Sequence, residues 1–132
     1  MVTVSKRIEY GLAFVLFLSK DRGVLLSLKE AAEILGLPYR FLGKIATDLR
    51  EAGIIESKEG KNGGYKLGEG WGERSVYDFL EALGENKRMV ACLSGESDCG
   101  REKGCKIKGL WLGVERALTD ELKRVKLSEI AL

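Results

Sequence analysis

The stretch Ser27–Leu67, SLKEAAEILGLPYRFLGKIATDLREAGIIESKEGKNGGYKL, packs two amphipathic helices and a hairpin into forty-one residues. Ser27 and Glu30 have the S-x-x-E spacing of a capping box, and Ala31, Ala32, Ile34 and Leu35 follow as the apolar positions of a short helix ended by Gly36. Pro38 suits the first position of the next helix, because its missing N–H would have no partner there. Phe41, Leu42, Ile45, Leu49 and Ala52 then fall on one face, Gly53 closes the helix, and Arg40, Gly43, Lys44, Thr47 and Glu51 lie opposite. Two short helices on a tight turn are either a helix-turn-helix or an ordinary antiparallel packing pair.

The residues that follow favour the first reading. Ile54–Lys58 and Tyr65–Leu67 read as strands around a tip where Gly60, Gly63 and Gly64 are expected to supply positive φ. Lys58, Lys61 and Lys66 put cations on or beside that tip. A helix-turn-helix followed directly by a basic hairpin is the winged-helix arrangement, in which the second helix reads bases and the hairpin reaches phosphates or the minor groove.

Working outward, a first helix is expected over Ser5–Ser19, apolar on most sides and therefore covered by neighbours or by a second subunit. Val24-Leu25-Leu26 reads as a short strand. Gly68, Gly70 and Gly72 have neither G-x-G-x-x-G nor P-loop spacing, so this segment reads as a flexible connector. Ser75 and Asp78 cap a fourth helix carrying Val76, Phe79, Leu80 and Leu83. Near the end of the chain, Ile107, Trp111, Val114, Leu118, Leu122 and Val125 repeat at helical spacing. A stripe that long must pack on its own domain or on its copy, and two-fold pairing is preferred because major-groove readers usually act as dimers.

Composition sets bounds without naming a partner. The 132 residues suit one modest domain, and the net charge is only +2. Residues 1–66 carry 11 basic and 8 acidic side chains, and residues 67–132 carry 11 and 12, so nucleic-acid binding has to rest on local placement. Lys6 and Arg7 before an apolar run resemble the start of a signal peptide. However, Glu9 interrupts the basic segment and Ser19-Lys20-Asp21-Arg22 offers no cleavage site. No run reaches a membrane span, and the chain is expected to be cytoplasmic. With no histidine, hydrolytic triads built on that residue are excluded.

All three cysteines lie in CLSGESDCGREKGC, with the spacing Cys92-x6-Cys99-x5-Cys105. There is no C-x2-C knuckle, and an odd count argues against a disulfide framework. Buried cysteine behaves as a small hydrophobe, yet these thiols sit among Ser94, Gly95, Glu96, Asp98, Arg101 and Lys103. Such a segment needs something to bind it together. Soft thiolates suit an iron–sulfur cluster, Zn or Cu(I), and the surrounding excess of lysine and arginine offsets an anionic site. Without histidine, a fourth protein ligand is expected to be a carboxylate.

Taken together, Tyr10, SLKEAAEILGLPYRFLGKIATDLREAGII, the wing GKNGGYKL, the three-cysteine segment, Trp111 and the terminal LSEIAL resemble the Rrf2 family of bacterial winged-helix regulators. The family includes iron–sulfur-cluster regulators, a nitric-oxide sensor and a cysteine-metabolism repressor. The resemblance spans nearly the whole chain. It implies a mainly α fold with a small β-hairpin wing: a winged helix-turn-helix over residues 1–83, a cysteine segment over 84–106, and a dimerisation helix and tail over 107–132.

It also implies an iron–sulfur cluster, [2Fe-2S] before [4Fe-4S], held by Cys92, Cys99 and Cys105. Some members take a fourth ligand from a histidine where this chain has Lys108. Others use an acidic residue just before the first-helix tyrosine, reaching across from the partner subunit, and that residue here is Glu9. The expected partner is double-stranded DNA with an inverted-repeat operator. Its contacts would be Ser5, Lys6 and Arg7, then Pro38, Tyr39, Arg40 and Lys44, then Lys58, Lys61, Asn62, Gly63, Gly64 and Tyr65. Trp111, Val114, Leu118, Leu122 and Val125 would form the dimer.

Two features depart from the family's pattern. Glu59 stands where many relatives place an arginine before the first wing glycine, which assigns Lys58 and Lys61 to phosphates. Gly43-Lys44 replaces larger polar readers on the recognition helix. The expected function is a DNA-binding regulator, most simply a repressor, and not an enzyme. The alternatives are a cluster-free regulator sensing thiol oxidation, zinc or a metabolic partner, and more remotely an iron–sulfur electron carrier.

Overall fold

The computed structural model describes residues 3–21, 23–89 and 104–131. Helix α1 (Lys6–Lys20) is followed by α2 (Leu28–Leu35), α3 (Tyr39–Glu51), strands β1 (Ile55–Lys58) and β2 (Gly64–Leu67), and a 3-10 turn at Trp71–Glu73. Then come α4 (Val76–Ala82), the long α5 (Lys106–Arg124) and a terminal turn, α6 (Leu127–Ile130). No described helix is long and apolar enough to cross a membrane.

Helix α1 starts where Ser5 Oγ accepts the Ile8 N–H, and it buries one stripe, Gly11, Phe14, Val15 and Leu18. Gly11 is needed for a close approach: a Cβ there would lie 2.7 Å from Phe79 Cζ. Between α2 and α3 the turn is set by Gly36 at φ 67°, with Gly36 N–H on Glu33 O and Leu37 N–H on Ala32 O. These two bonds satisfy the last carbonyls of α2 and release the chain into α3 within three residues. Pro38 is the N-cap of α3, one position earlier than its expected place inside the helix. The expected capping box at α2 forms by half. Glu30 N–H reaches Ser27 Oγ at 3.1 Å, whereas the full reciprocal box occurs at Ser75 and Asp78, at 3.0 and 2.8 Å.

In the wing, Ile55 pairs with Leu67, Glu56 with Lys66, Ser57 with Tyr65 and Lys58 with Gly64. The expected strand over Val24–Leu26 contracts to one bridge, in which Leu26 and Tyr65 exchange N–H···O bonds of 2.9 and 2.8 Å. The bridge lies tight on the hairpin: a Cβ on Gly64 would stand 2.7 Å from Leu26 O. Positive φ at the tip, expected at all three glycines, does not occur at Gly63. Glycine is needed there because a Cβ would fall 2.1 Å from Lys58 O.

The core joins Phe14, Val15 and Leu18 of α1 to Leu42, Ile45, Ala46 and Leu49 of α3, with Ile54, Ile55, Phe79 and Leu83 beside them. Leu127, from the far end of the chain, is also fully buried. It docks against the segment expected to be a flexible connector, which is instead a docking strip. Val76 N–H meets Val125 O at 2.9 Å, Leu127 N–H meets Arg74 O at 2.8 Å, and Lys126 Nζ meets Glu73 Oε2 at 2.7 Å. The Glu73 carboxylate raises the Lys126 ammonium above its ordinary pKa. The backbone polar groups that follow α5 therefore find partners on the strip that leads into α4.

Candidate nucleic-acid interface and cysteine-bearing helix

Helix α3 buries Leu42, Ile45, Ala46 and Leu49 and leaves Tyr39, Arg40 and Lys44 exposed. Thr47 Oγ1 turns back onto Gly43 O at 3.0 Å. Phe41, expected on the core face, is partly exposed and meets Tyr10 edge-on at 5.5 Å. On the wing, Lys58, Lys61 and Asn62 are exposed. Gly63, Gly64 and Tyr65 are half-buried, and the Tyr65 ring stands edge-on to Phe14 at 6.1 Å, so these three shape the wing from within. Lys66 faces Glu56 across the strands at 3.8 Å.

At the start of α1, Ser5 is used as the helix cap. Lys6 is exposed and donates to Glu9 Oε2 at 3.0 Å, a hydrogen bond that raises the Lys6 pKa. Arg7, expected among the duplex contacts, points inward instead. Its guanidinium pairs with Asp48 of α3, donates from Nε to Leu83 O at 3.1 Å, and lies 4.0 Å from Glu85 Oε1. The reason is tertiary: the negative C-terminal end of α4 and two carboxylates, all remote in the chain, converge beside it.

Cys105 is the N-cap of α5, half-buried, with a free thiol and no side-chain capping bond. Cys92 and Cys99 lie outside the described residues. Among the described residues, no three acidic, cysteine or histidine side chains gather into a metal-binding group. Glu9 is exposed on α1. The chain leading toward the cysteines is fastened to α5 at Glu115, which pairs with the Arg88 guanidinium and accepts the Met89 N–H at 3.2 Å.

Helix α5 contains no fully buried residue. Ile107 is 65% exposed, Leu110 59%, Trp111 36%, Val114 40% and Leu118 42%, so its forward half carries an uncovered apolar face. Leu122 and Val125 are half-buried, and Val125 O is taken by α4, so the expected stripe divides. The rear half belongs to its own domain, where Lys123 Nζ also sits 4.9 Å above the Tyr77 ring. Leu110 extends the exposed face. Its spacing of three after Ile107 and four before Val114 was available in the sequence. Asp48, Glu85 and Glu115 carried no such signal, since their partners are remote in the chain.

This fold has counterparts among known proteins. The family model described as Rrf2, iron-dependent transcriptional regulator, matches residues 4–131. The chain belongs to the Rrf2 family. Among relatives, it is similar to the HTH-type transcriptional regulator NsrR of Shouchella clausii, at 26% identity over 94% of this chain and 85% of that protein. Among solved structures it is similar to CymR, the global cysteine regulator of B. subtilis, with a TM-score of 0.79 and 26% identity over 99% of this chain and 97% of that one. It is also similar to T. potens IscR, with a TM-score of 0.76 and 25% identity over 98% and 85%. This Rrf2 protein is accordingly a winged-helix, DNA-binding transcriptional regulator and not an enzyme.

Proposed function

We propose that this Rrf2 regulator is a cytoplasmic homodimer that binds an inverted-repeat operator, with an affinity set by an iron–sulfur cluster on Cys92, Cys99 and Cys105. Glu9 of the partner subunit would be the fourth ligand. One observation carries the reading. A chain without histidine gathers its three thiols into fourteen hydrophilic residues, and the last of them, Cys105, stands free at the head of a helix whose apolar face is uncovered.

The donors present fit such a group. Thiolates are the soft ligands that iron–sulfur centres take. Glu9 offers an exposed carboxylate whose partner in its own chain is the solvated Lys6. When bound, the cluster supplies a centre that oxidation, nitrosylation or iron loss alters. The chain's own part is to hold it: Cys105 anchors one end of the segment to α5, and Glu115 fastens the other end through Arg88 and Met89. The similarity to CymR supports a second reading, a cluster-free thiol switch on the same scaffold. Anaerobic native mass spectrometry separates the two. A dimer carrying iron and inorganic sulfide in each subunit is expected, and a folded, iron-free, sulfide-free dimer would favour the thiol switch.

On the DNA side, Arg40 and Lys44 of α3 face the major groove and Lys58 and Lys61 meet phosphates. Each phosphate contact contributes about −0.9 to the slope of log affinity against log salt. Lys61→Ala removes one contact from each subunit, so the slope should fall by about 2 while sequence preference is kept. Fluorescence anisotropy across a salt series measures it. An unchanged slope would remove Lys61 from the interface.

A further inference from the structure

Arg7 stands where three elements meet. It leaves the first turn of α1, pairs with Asp48 on the recognition helix, and donates to the carbonyl of Leu83, the C-cap of α4, with the Glu85 carboxylate at 4.0 Å from the same Nε. Its side chain is only 18% exposed, and Asp48 and Glu85 are each 25% exposed, so the three charges sit partly out of water. Leu83 and Glu85 are the points from which the chain departs toward the cysteines. Asp48 lies one helical turn beyond Lys44 and two beyond Arg40 on α3.

We propose that Arg7 is the positioning residue that couples the start of the cysteine segment to the recognition helix. A guanidinium is a rigid planar fork of five donors, so it can bond two acceptors from different elements at fixed relative angles, which a lysine ammonium on a flexible stem does not enforce. Here one cation faces two carboxylates and the negative end of α4. When Glu85 or the α4 terminus moves, the balance of the fork shifts toward or away from Asp48, and α3 turns or slides with it. Residues that share one partner in this way are energetically coupled although they do not touch. The inference rests on the proposed control by the cysteine segment, but the contacts themselves exist without a cluster.

The test is a double-mutant cycle in operator affinity, using a duplex selected by the wild-type protein from random-sequence DNA. Glu85→Gln, Asp48→Asn and the double variant are measured in the wild-type chain and again in Arg7→Lys. General electrostatic effects of losing a carboxylate cancel in the cycle. Glu85→Gln is expected to change Kd about threefold or more, and this change should itself alter about threefold or more when Asp48 is Asn. In Arg7→Lys the two substitutions should become additive to within about 1.5-fold. A purely structural Arg7 would lower the melting midpoint and leave the pair additive. Additivity in the wild-type chain, or no effect of Glu85→Gln, overturns the proposal, and the wild-type cycle decides alone if Arg7→Lys does not fold. Iron and sulfide assayed in the same samples keep the two ideas apart. Coupling in iron-free protein retains Arg7 and sinks the cluster, and additivity in iron-loaded protein does the reverse.

Discussion

Val114→Asp is expected to give a folded monomer whose operator affinity is about 100-fold weaker or worse, a loss of roughly 2.8 kcal/mol. The forward half of α5 presents Ile107, Leu110, Trp111, Val114 and Leu118 to solvent in the single chain. A contiguous apolar face of this kind marks an interface, and a two-fold axis would lay the same face of a second copy against it. Aspartate at position 114 would place two like charges in a desolvated seam without partners, which costs several kcal/mol. The monomer keeps its fold because α5 contributes no fully buried residue to the core, while Val125 and Leu127 still clip the end of the chain onto Val76 of α4 and Arg74 just before it. What it loses is the second half-site, and with it half of the phosphate and base contacts. Sedimentation velocity beside anisotropy on the operator checks both parts. A dimeric Val114→Asp with unchanged affinity would place the interface elsewhere.

Cys105→Ala is expected to retain less than about a tenth of the wild-type iron and sulfide while preserving fold and dimer. Two thiolates remain and no histidine exists to substitute for the third. The structural cost is small, since the Cys105 side chain makes no capping bond and is only half-buried. Cys92→Ala and Cys99→Ala should behave alike. Iron and acid-labile sulfide assays, with circular dichroism as the control for folding, give the answer. Full iron content in any of the three variants would remove that cysteine from the ligand set.

The local part of this fold was legible from residue patterns. Helices α2 and α3 and the wing follow from apolar periodicity, glycine stops and a basic tip, all set by neighbours within a few positions. What escaped depends on partners far along the chain. Arg7 reads as a free cation until Asp48, forty-one residues on, takes it. The Gly68–Ser75 segment reads as a connector until the end of the chain docks on it, through a Lys126–Glu73 pair fifty-three residues apart. Nothing near Leu127 announces a core residue, because its place is fixed by the Trp71–Arg74 strip, far back in the chain, on which its four-residue helix docks. The terminal stripe does repeat at helical period along α5. Its division, outward to Leu118 and inward from Leu122, comes from the crossing with α4, which periodicity cannot convey. In the candidate site, Cys105 stands at the head of α5, and Cys92 and Cys99 lie outside the described residues.

The most direct test of control by the cysteine segment is the operator Kd of one anaerobic preparation, measured before and after its iron is removed by a chelator. The account predicts a difference of about 5- to 150-fold between the two states, the range of ordinary allosteric coupling. It also predicts that Cys105→Ala stays at the iron-free value throughout. Equal affinities in the two states of an iron-loaded wild-type dimer would contradict it.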